Sequence, residues 1–194
     1  MKCIITITAF IFCNTVVKSQ GCSDAGFCTI NSFRPSAGDA QSAIYKNQFR
    51  IGISGGRADH NISIVSGLLE YSRQINKSVG IDTKLVFLSQ SGNNISTTGV
   101  SDAFVNINYA IAGNVRLILG AKIPLSDGNK QKNDLPLPMD FQSSLGTFDI
   151  IAGLDYKLEK WKFNIGWQQP LVQNSNSFLA ENYPINSPLH GFQS

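Results

Sequence analysis

The chain has 194 residues, enough for one or at most two domains. Charged residues make up only 15% of it, against roughly 25% in ordinary soluble domains. The formal charge of +3 falls to +1 if a leader carrying Lys2 and Lys18 is removed, and no clustered basic run suggests a nucleic-acid partner. No apolar run reaches the roughly 20 residues that a membrane-spanning helix needs, which argues against a helical membrane protein.

Residues 1–19 are predicted to be a signal peptide. Lys2 supplies the positive charge, Ile4–Val17 the apolar segment, and the small residue Ser19 the exit, so cleavage is expected before Gln20. Residues 20–46 contain Gly, Ser and Pro without a sustained period, and we expect a periplasmic loop segment there.

Four cysteines divide between these two segments. Cys3 and Cys13 would leave with the leader, so Cys22 and Cys28 remain. In an exported protein such a closely spaced pair is expected to form a small-loop disulfide. No histidine or further cysteine lies nearby to complete a tetrahedral metal site, so neither a metal nor another cofactor is predicted.

From Asn47 onward the chain alternates apolar and polar residues with a period of two, which predicts β-strands. No segment shows a convincing helical period. Seven strands are predicted: Asn47–Ser54, Ile62–Ile75, Val79–Gln90, Val100–Ile111, Val115–Ile123, Thr147–Tyr156 and Trp161–Gln168.

The two faces of these strands differ in charge. The apolar positions carry no charged residue, because the charges fall on the opposite face. A charge on the lipid-facing side of a transmembrane barrel costs roughly 2–4 kcal/mol near mid-bilayer, so this segregation predicts an antiparallel up-and-down transmembrane β-barrel. The predicted lumen-lining residues are Arg50, Glu70, Asp82, Lys84, Asp102, Arg116, Lys122, Asp149, Asp155 and Lys162.

The lengths of the connections point the same way. Those after the second, fourth and sixth predicted strands are short, and the others are longer, as in barrels with short periplasmic turns and long external loops. The loops predicted to form the mouth are Ser91–Gly99, Pro124–Gly146 and Gln169–Ser194. Aromatic residues are expected near strand ends, as in interfacial girdles: Tyr71, Phe87, Tyr109, Tyr156, Trp161 and Trp167.

Seven strands cannot close a bacterial single-chain barrel, which has an even number. An open sheet edge cannot stay unpaired in lipid either. We therefore expect residues 47–194 to be the N-terminal part of a longer barrel whose sequence here ends within an external loop. Alternatively, other subunits of a homo-oligomer supply the missing strands.

Four stretches of the chain resemble a group of uncharacterised Bacteroidetes outer-membrane proteins. They are GCSDAGFC at Gly21–Cys28, GAKIP at Gly120–Pro124, DFQSSLGTFDIIAGLDY at Asp140–Tyr156 and WQQPLVQNSNSFLAENYP at Trp167–Pro184. That group is similar to the outer-membrane barrels associated with transport in phenol degradation. The resemblance implies a β-barrel in the outer membrane and suggests small-molecule passage.

One motif invites an enzymatic interpretation. Gly52–Gly56 matches the G-x-S-x-G nucleophile elbow, and Asp59 and His60 follow closely. An elbow needs a strand, a strained turn and then a helix, whereas the following residues look like a loop between strands. We therefore predict no enzymatic activity and no catalytic residues.

The function predicted from the sequence is passive passage of small solutes through an outer-membrane β-barrel, whose partners are membrane lipid and the solutes. Two alternatives remain open at this point. One is a non-conducting structural or surface-recognition protein, if the lumen charges pair completely. The other is a secreted soluble β-sandwich that binds a ligand, in which a second sheet would cover the apolar face.

Overall fold

The computed structural model describes residues 46–192, and this part of the chain is all-β. Seven antiparallel strands form one sheet in the order β1-β2-β3-β4-β5-β8-β9, and β6 and β7 form a separate hairpin. The strands are β1 (Asn47–Arg57), β2 (Ser63–Gln74), β3 (Val79–Gly92), β4 (Ile95–Ala112), β5 (Val115–Pro124), β6 (Gln131–Lys132), β7 (Leu135–Pro136), β8 (Asp149–Leu158) and β9 (Trp161–Pro170). The seven predicted strands are confirmed.

Helical structure within residues 46–192 is limited to 3-10 turns, the longest being Pro188–Gly191. None of these is long and apolar enough to cross a membrane. The predicted signal peptide, the Cys22–Cys28 pair and the segment that precedes residue 46 lie outside the described residues.

The alternation of each strand produces two chemically distinct faces. The apolar face carries large hydrophobic side chains that are exposed, among them Phe49, Leu69, Val105, Leu119, Leu154 and Ile165. The polar face carries all but two of the charged positions in the seven strands of the sheet. Arg57 and Arg73 depart from the predicted segregation, because their positions in β1 and β2 have the parity of the apolar face. Both lie within two residues of a strand end.

The predicted loop Ser91–Gly99 is wrong. Strands β3 and β4 run on past it and are joined by the two residues Asn93 and Asn94, which have φ angles of 52° and 60°. Two consecutive residues with positive φ are typical of a type I′ hairpin turn, which asparagine tolerates. Ladder pairing therefore continues on both sides of this turn, from Ser91–Ser96 to Gly92–Ile95.

The predicted alternation of short and long connections holds only in part. The connections 75–78, 113–114 and 159–160 are short as predicted, and 125–148 is long. The third connection is as short as these turns. The first connection was predicted to be long but comprises only residues 58–62. It is short because β1 continues beyond Ser54 to Arg57, where it still pairs with β2.

A β-bulge interrupts the pairing of β3 and β4. Leu85 pairs with Ala103 and Phe87 pairs with Val100, so Ser101 and Asp102 together lie opposite Val86. Such a bulge bends the strand and increases its twist. It also allows two neighbouring side chains, Ser101 and Asp102, to be fully buried.

The row of ladder partners across the sheet is inclined to the line that joins the ends of the strands. One row of paired residues begins near the start of β1 and ends near the end of β9, through Phe49, Tyr71, Thr83, Val105, Ala121, Ile150 and Gln169. The row drifts by about six residues, or about 20 Å, across about 29 Å of sheet, which corresponds to an inclination of roughly 35°. The register therefore shears in one overall direction from β1 to β9.

Two apolar clusters lie among the described residues. One joins the connection 125–148 to the segment after β9 at one end of the sheet, through Ile62, Ile95, Leu137, Phe141, Phe178, Leu189 and Phe192. The other lies on the polar face itself, where Phe104, Ile118 and Ile151 pack together with Val86 against them. Within residues 46–192 the buried apolar side chains thus lie at one end of the sheet and on its polar side.

Gly120 permits close packing of β5 against Asn106. A Cβ atom at position 120 would overlap the Asn106 side chain and lie 2.5 Å from the Val105 carbonyl oxygen. We expect Gly120→Ala to lower the free energy of unfolding by about 1–3 kcal/mol, since backbone cannot yield easily. Gly67→Ala is the matched control in a strand, because the nearest atom to a Cβ added at position 67 is the Phe87 Cβ, at an ordinary contact distance of 3.9 Å. Chemical denaturation of both variants tests this, and equal losses would contradict it.

Candidate functional site on the polar face

The polar face brings most of the predicted lumen-lining residues together and buries them. The buried ones are Glu70, Asp82, Lys84, Asp102, Lys122, Asp149 and Asp155. Arg50 is half-buried, whereas Arg116 and Lys162 are exposed, the latter on the outermost strand β9. The buried charges thus lie on the five inner strands, whereas the other three lie on the two edge strands or, for Arg116, at the start of β5. Charged side chains are rarely buried without partners, so their contacts define the site.

A row of ladder partners across six strands carries five of the ten predicted residues. It runs through Arg50, Glu70, Lys84, Phe104, Lys122 and Asp149. The Arg50 guanidinium donates to a Glu70 carboxylate oxygen at 2.8 Å. Lys84 lies over the Phe104 ring, with Nζ 5.4 Å from the ring centroid, a cation–π contact. Opposite signs thus alternate along the row, with Phe104 between the two lysines.

Lys122 is the most enclosed cation of the site. Its Nζ lies 2.9 Å from Asp149 Oδ2 and donates to Thr147 Oγ1 at 2.8 Å. Both Lys122 and Asp149 are almost completely inaccessible to solvent. Breaking a pair of this kind by removing one partner strands a buried charge, so the two residues depend on each other.

Asp102 lies in the β4 bulge and accepts two hydrogen bonds from hydroxyl groups. Ser101 Oγ donates to Oδ2 at 2.8 Å, and Ser144 Oγ donates to Oδ1 at 2.6 Å. Ser144 and Thr147 both belong to the connection 125–148. This connection therefore supplies part of the polar site, which the strand pattern alone did not indicate.

Amide side chains that the sequence analysis missed complete the site. Asn108 donates to Asp82 at 2.9 Å, Asn164 donates to Asp155, and Gln168 donates to Asp149. Their positions in the alternation place them on the polar face, but an uncharged amide is not by itself a signal of a lumen position. Asn106 is fully buried, and neither of its side-chain polar atoms has a hydrogen-bond partner among residues 46–192.

An open cleft of about 750 Å³ adjoins this site beside β8 and β9. Its walls include Thr147, Asp149 and Gln168 together with residues 169–174. The cleft lies at the β9 edge of the sheet, where the polar face opens to solvent. Polar side chains therefore meet open space on this side of the site.

The G-x-S-x-G match does not form a nucleophile elbow. Gly52–Gly56 lies within β1, and Ser54 Oγ is 2.7 Å from Ser66 Oγ on the neighbouring strand. The His60 ring stacks on Phe192 with centroids 4.0 Å apart. No cluster of three or more metal-ligating side chains occurs in the described part of the chain. The polar face is thus a network of paired charges, hydroxyls and amides.

Comparison of the chain with models of known protein families, with curated proteins and with solved structures finds no match.

Proposed function

We propose that this chain forms part of the wall of an outer-membrane β-barrel, with its apolar face against lipid and its polar face towards an interior through which small solutes pass. The observation that carries the proposal is the inverted burial of the sheet. Ile53 on the apolar face is 82% exposed, whereas Lys122 on the polar face is 0% exposed. Water as the only solvent would favour the reverse, because burying apolar surface stabilises a fold and burying charge costs free energy.

The extent of the exposed apolar surface supports lipid contact. It spans all seven strands of the sheet, and large apolar patches on soluble proteins mark interaction surfaces. Arg57 and Arg73, the two arginines on the apolar face, lie near strand ends. A charge there costs about 0–1 kcal/mol in a bilayer, whereas at the midplane it costs about 2–4 kcal/mol. A soluble β-sandwich would need a second sheet over this face, and residues 46–192 place none there.

The geometry of the strands also fits this proposal. Transmembrane strands need about 9–11 residues at a tilt near 45°, and β5, β8 and β9 have 10 residues each. An inclination of roughly 35°, estimated from the register, falls within the range for closed barrels. Such a barrel requires partners for the outer edges of β1 and β9, because unpaired backbone groups are not tolerated in lipid. We propose that further strands of the polypeptide, or of other copies of it, supply them.

Passage of solutes competes with a second function, that of a non-conducting structural or recognition protein. The specific observation in its favour is that the polar face is filled, since the cluster Phe104–Ile118–Ile151 and the paired charges leave little open space on the middle strands. Interiors of small barrels are filled by side chains in this way. The open cleft beside β9 favours passage instead.

Liposome swelling separates the two functions. The full-length gene product is reconstituted into phosphatidylcholine vesicles, which are then diluted into isosmotic solutions of sugars of increasing size. Passage predicts a swelling rate above that of protein-free vesicles which falls as the sugar becomes larger. Swelling no faster than in protein-free vesicles, with the barrel folded as judged by boiling-dependent migration in detergent gels, would contradict passage.

A further inference from the structure

The connection 125–148 lies against the polar face instead of projecting away from the sheet. Five of its residues from Phe141 onward are buried, namely Phe141, Gln142, Ser143, Ser144 and Thr147. An external loop that only surrounds a pore would keep such polar side chains in water, so this segment has another position and needs another explanation.

Hydrogen bonds to β3 and β4 hold the middle of the segment. Gln90 Nε2 donates to the Gln142 carbonyl oxygen at 2.6 Å, and Thr97 Oγ1 donates to the Phe141 carbonyl oxygen at 2.7 Å. Gln90 and Thr97 are ladder partners whose side chains both point to the polar side. The backbone of the segment is thus bound directly to the wall.

A lysine from the segment itself adds a second attachment. Lys130 Nζ donates to the Thr98 carbonyl oxygen at 2.9 Å and to Ser143 Oγ at 2.6 Å. Burial lowers the pKa of Lys130 from its ordinary value, and the charge of Asp127 partly opposes this. Gly99 makes room for the contact, since a Cβ there would lie 2.7 Å from both Lys130 Nζ and Ser143 Oγ.

The end of the segment is bound to the charged site. Ser144 donates to Asp102, and Thr147 accepts from Lys122. Earlier in the segment, Leu137 and Phe141 pack with Phe178, Leu189 and Phe192, which follow β9. The Asn176 amide donates to the Gly128 and Leu137 carbonyl oxygens at 2.9 and 3.0 Å, which joins the two segments.

We propose that residues 125–148 form a fixed obstruction inside the barrel, which narrows the route along the polar face at the end of the sheet where β3 and β4 turn. This inference rests on the proposed function for its effect on solutes. The obstruction is attached to three neighbouring strands through hydroxyl, amide and ammonium groups, so it excludes larger solutes without moving. Weakening these attachments widens the route.

Cysteine labelling tests the position of the segment independently of passage. In full-length protein whose own cysteines are replaced by serine, Ser143→Cys should react at least tenfold more slowly with a water-soluble maleimide than Gln131→Cys. Gln131 belongs to the same segment but is exposed in β6. Equal labelling rates in folded, vesicle-inserted protein would overturn the inference.

Swelling tests the effect of the segment. The double variant Thr97→Val/Ser144→Ala removes two of the hydrogen bonds that attach the segment. Its control is Thr98→Val/Ser89→Ala, which removes two hydroxyl groups that lie 3.0 Å apart on the apolar side of β3 and β4. We expect the first variant to admit a trisaccharide severalfold faster than the parent, and the second to match the parent. An unchanged rate for the first variant, in a protein that passes monosaccharides, would overturn the inference. Slow labelling of Ser143→Cys without passage of any sugar would instead support complete obstruction and contradict passage.

Discussion

With the apolar face against lipid, as proposed, Leu119→Arg should lower the free energy of unfolding in phospholipid vesicles by about 2–4 kcal/mol, the cost of an arginine on a lipid-facing surface near mid-bilayer. Leu119 lies in the middle of β5 on the apolar face, between its ladder partners Ile107 and Ala152. Its side chain is 53% exposed, so neither a cavity nor a lost core contact would explain such a loss. Reversible urea unfolding of the vesicle-inserted protein measures it.

Leu158→Arg is the control for this prediction. Leu158 is 49% exposed and belongs to the same face, but it is the last residue of β8. A charge at that depth should cost about 0–1 kcal/mol. If the apolar face were in water, both substitutions would be nearly neutral, within about 0.5 kcal/mol. Equal effects of the two arginines would therefore contradict lipid contact.

Lys122→Met should be the most destabilising change on the polar face, with an expected loss of about 3–5 kcal/mol. It removes the ion pair to Asp149 and the hydrogen bond to Thr147. Asp149 would then keep a buried charge, and its Oδ1 already has no hydrogen-bond partner in the described part of the chain. Urea unfolding measures this loss as well.

A double-mutant cycle of Lys122→Met, Asp149→Leu and the double variant separates the pair from the packing around it. Lys122→Met/Asp149→Leu should recover much of the stability lost in the single variant, because no unpaired charge remains between these two positions. Arg50→Met should cost less than Lys122→Met, since the Arg50 side chain is already 29% exposed and the Glu70 carboxylate that it leaves still has the cation Lys84 as its ladder neighbour. A loss below about 1 kcal/mol for Lys122→Met would show that water reaches Asp149 and that the site is open.

The sequence predicted the strands and their faces well, because a period of two is a direct property of extended backbone. Strand ends were predicted less well. Ser91–Gly99 looked like a loop from its composition, whereas Asn93 and Asn94 adopt the positive φ angles of a two-residue turn and let the flanking polar residues pair. A pair of asparagines between alternating stretches is a hairpin signal that could have located this turn.

Other features of the site have no local signal. The bulge at Ser101–Asp102 depends on how β4 pairs with β3, and the alternation of either strand alone does not reveal it. The burial of Gln142 and Ser144 depends on partners at Gln90 and Asp102, more than 40 residues away in sequence. Phe87 was expected near a strand end, yet it pairs with Gly67 and Val100 within the sheet, because β3 continues beyond its predicted end to Gly92.

Tryptophan quenching by brominated lipid tests the central claim, lipid contact of the apolar face, most directly. The sequence has two tryptophans, Trp161 and Trp167, and both lie on the apolar face of β9. Their side chains are 69% and 52% exposed. In vesicles of phosphatidylcholine with brominated acyl chains we expect strong loss of their fluorescence relative to unbrominated vesicles, and weak quenching by aqueous iodide. Full quenching by iodide without an effect of the brominated chains would place this face in water and contradict the account.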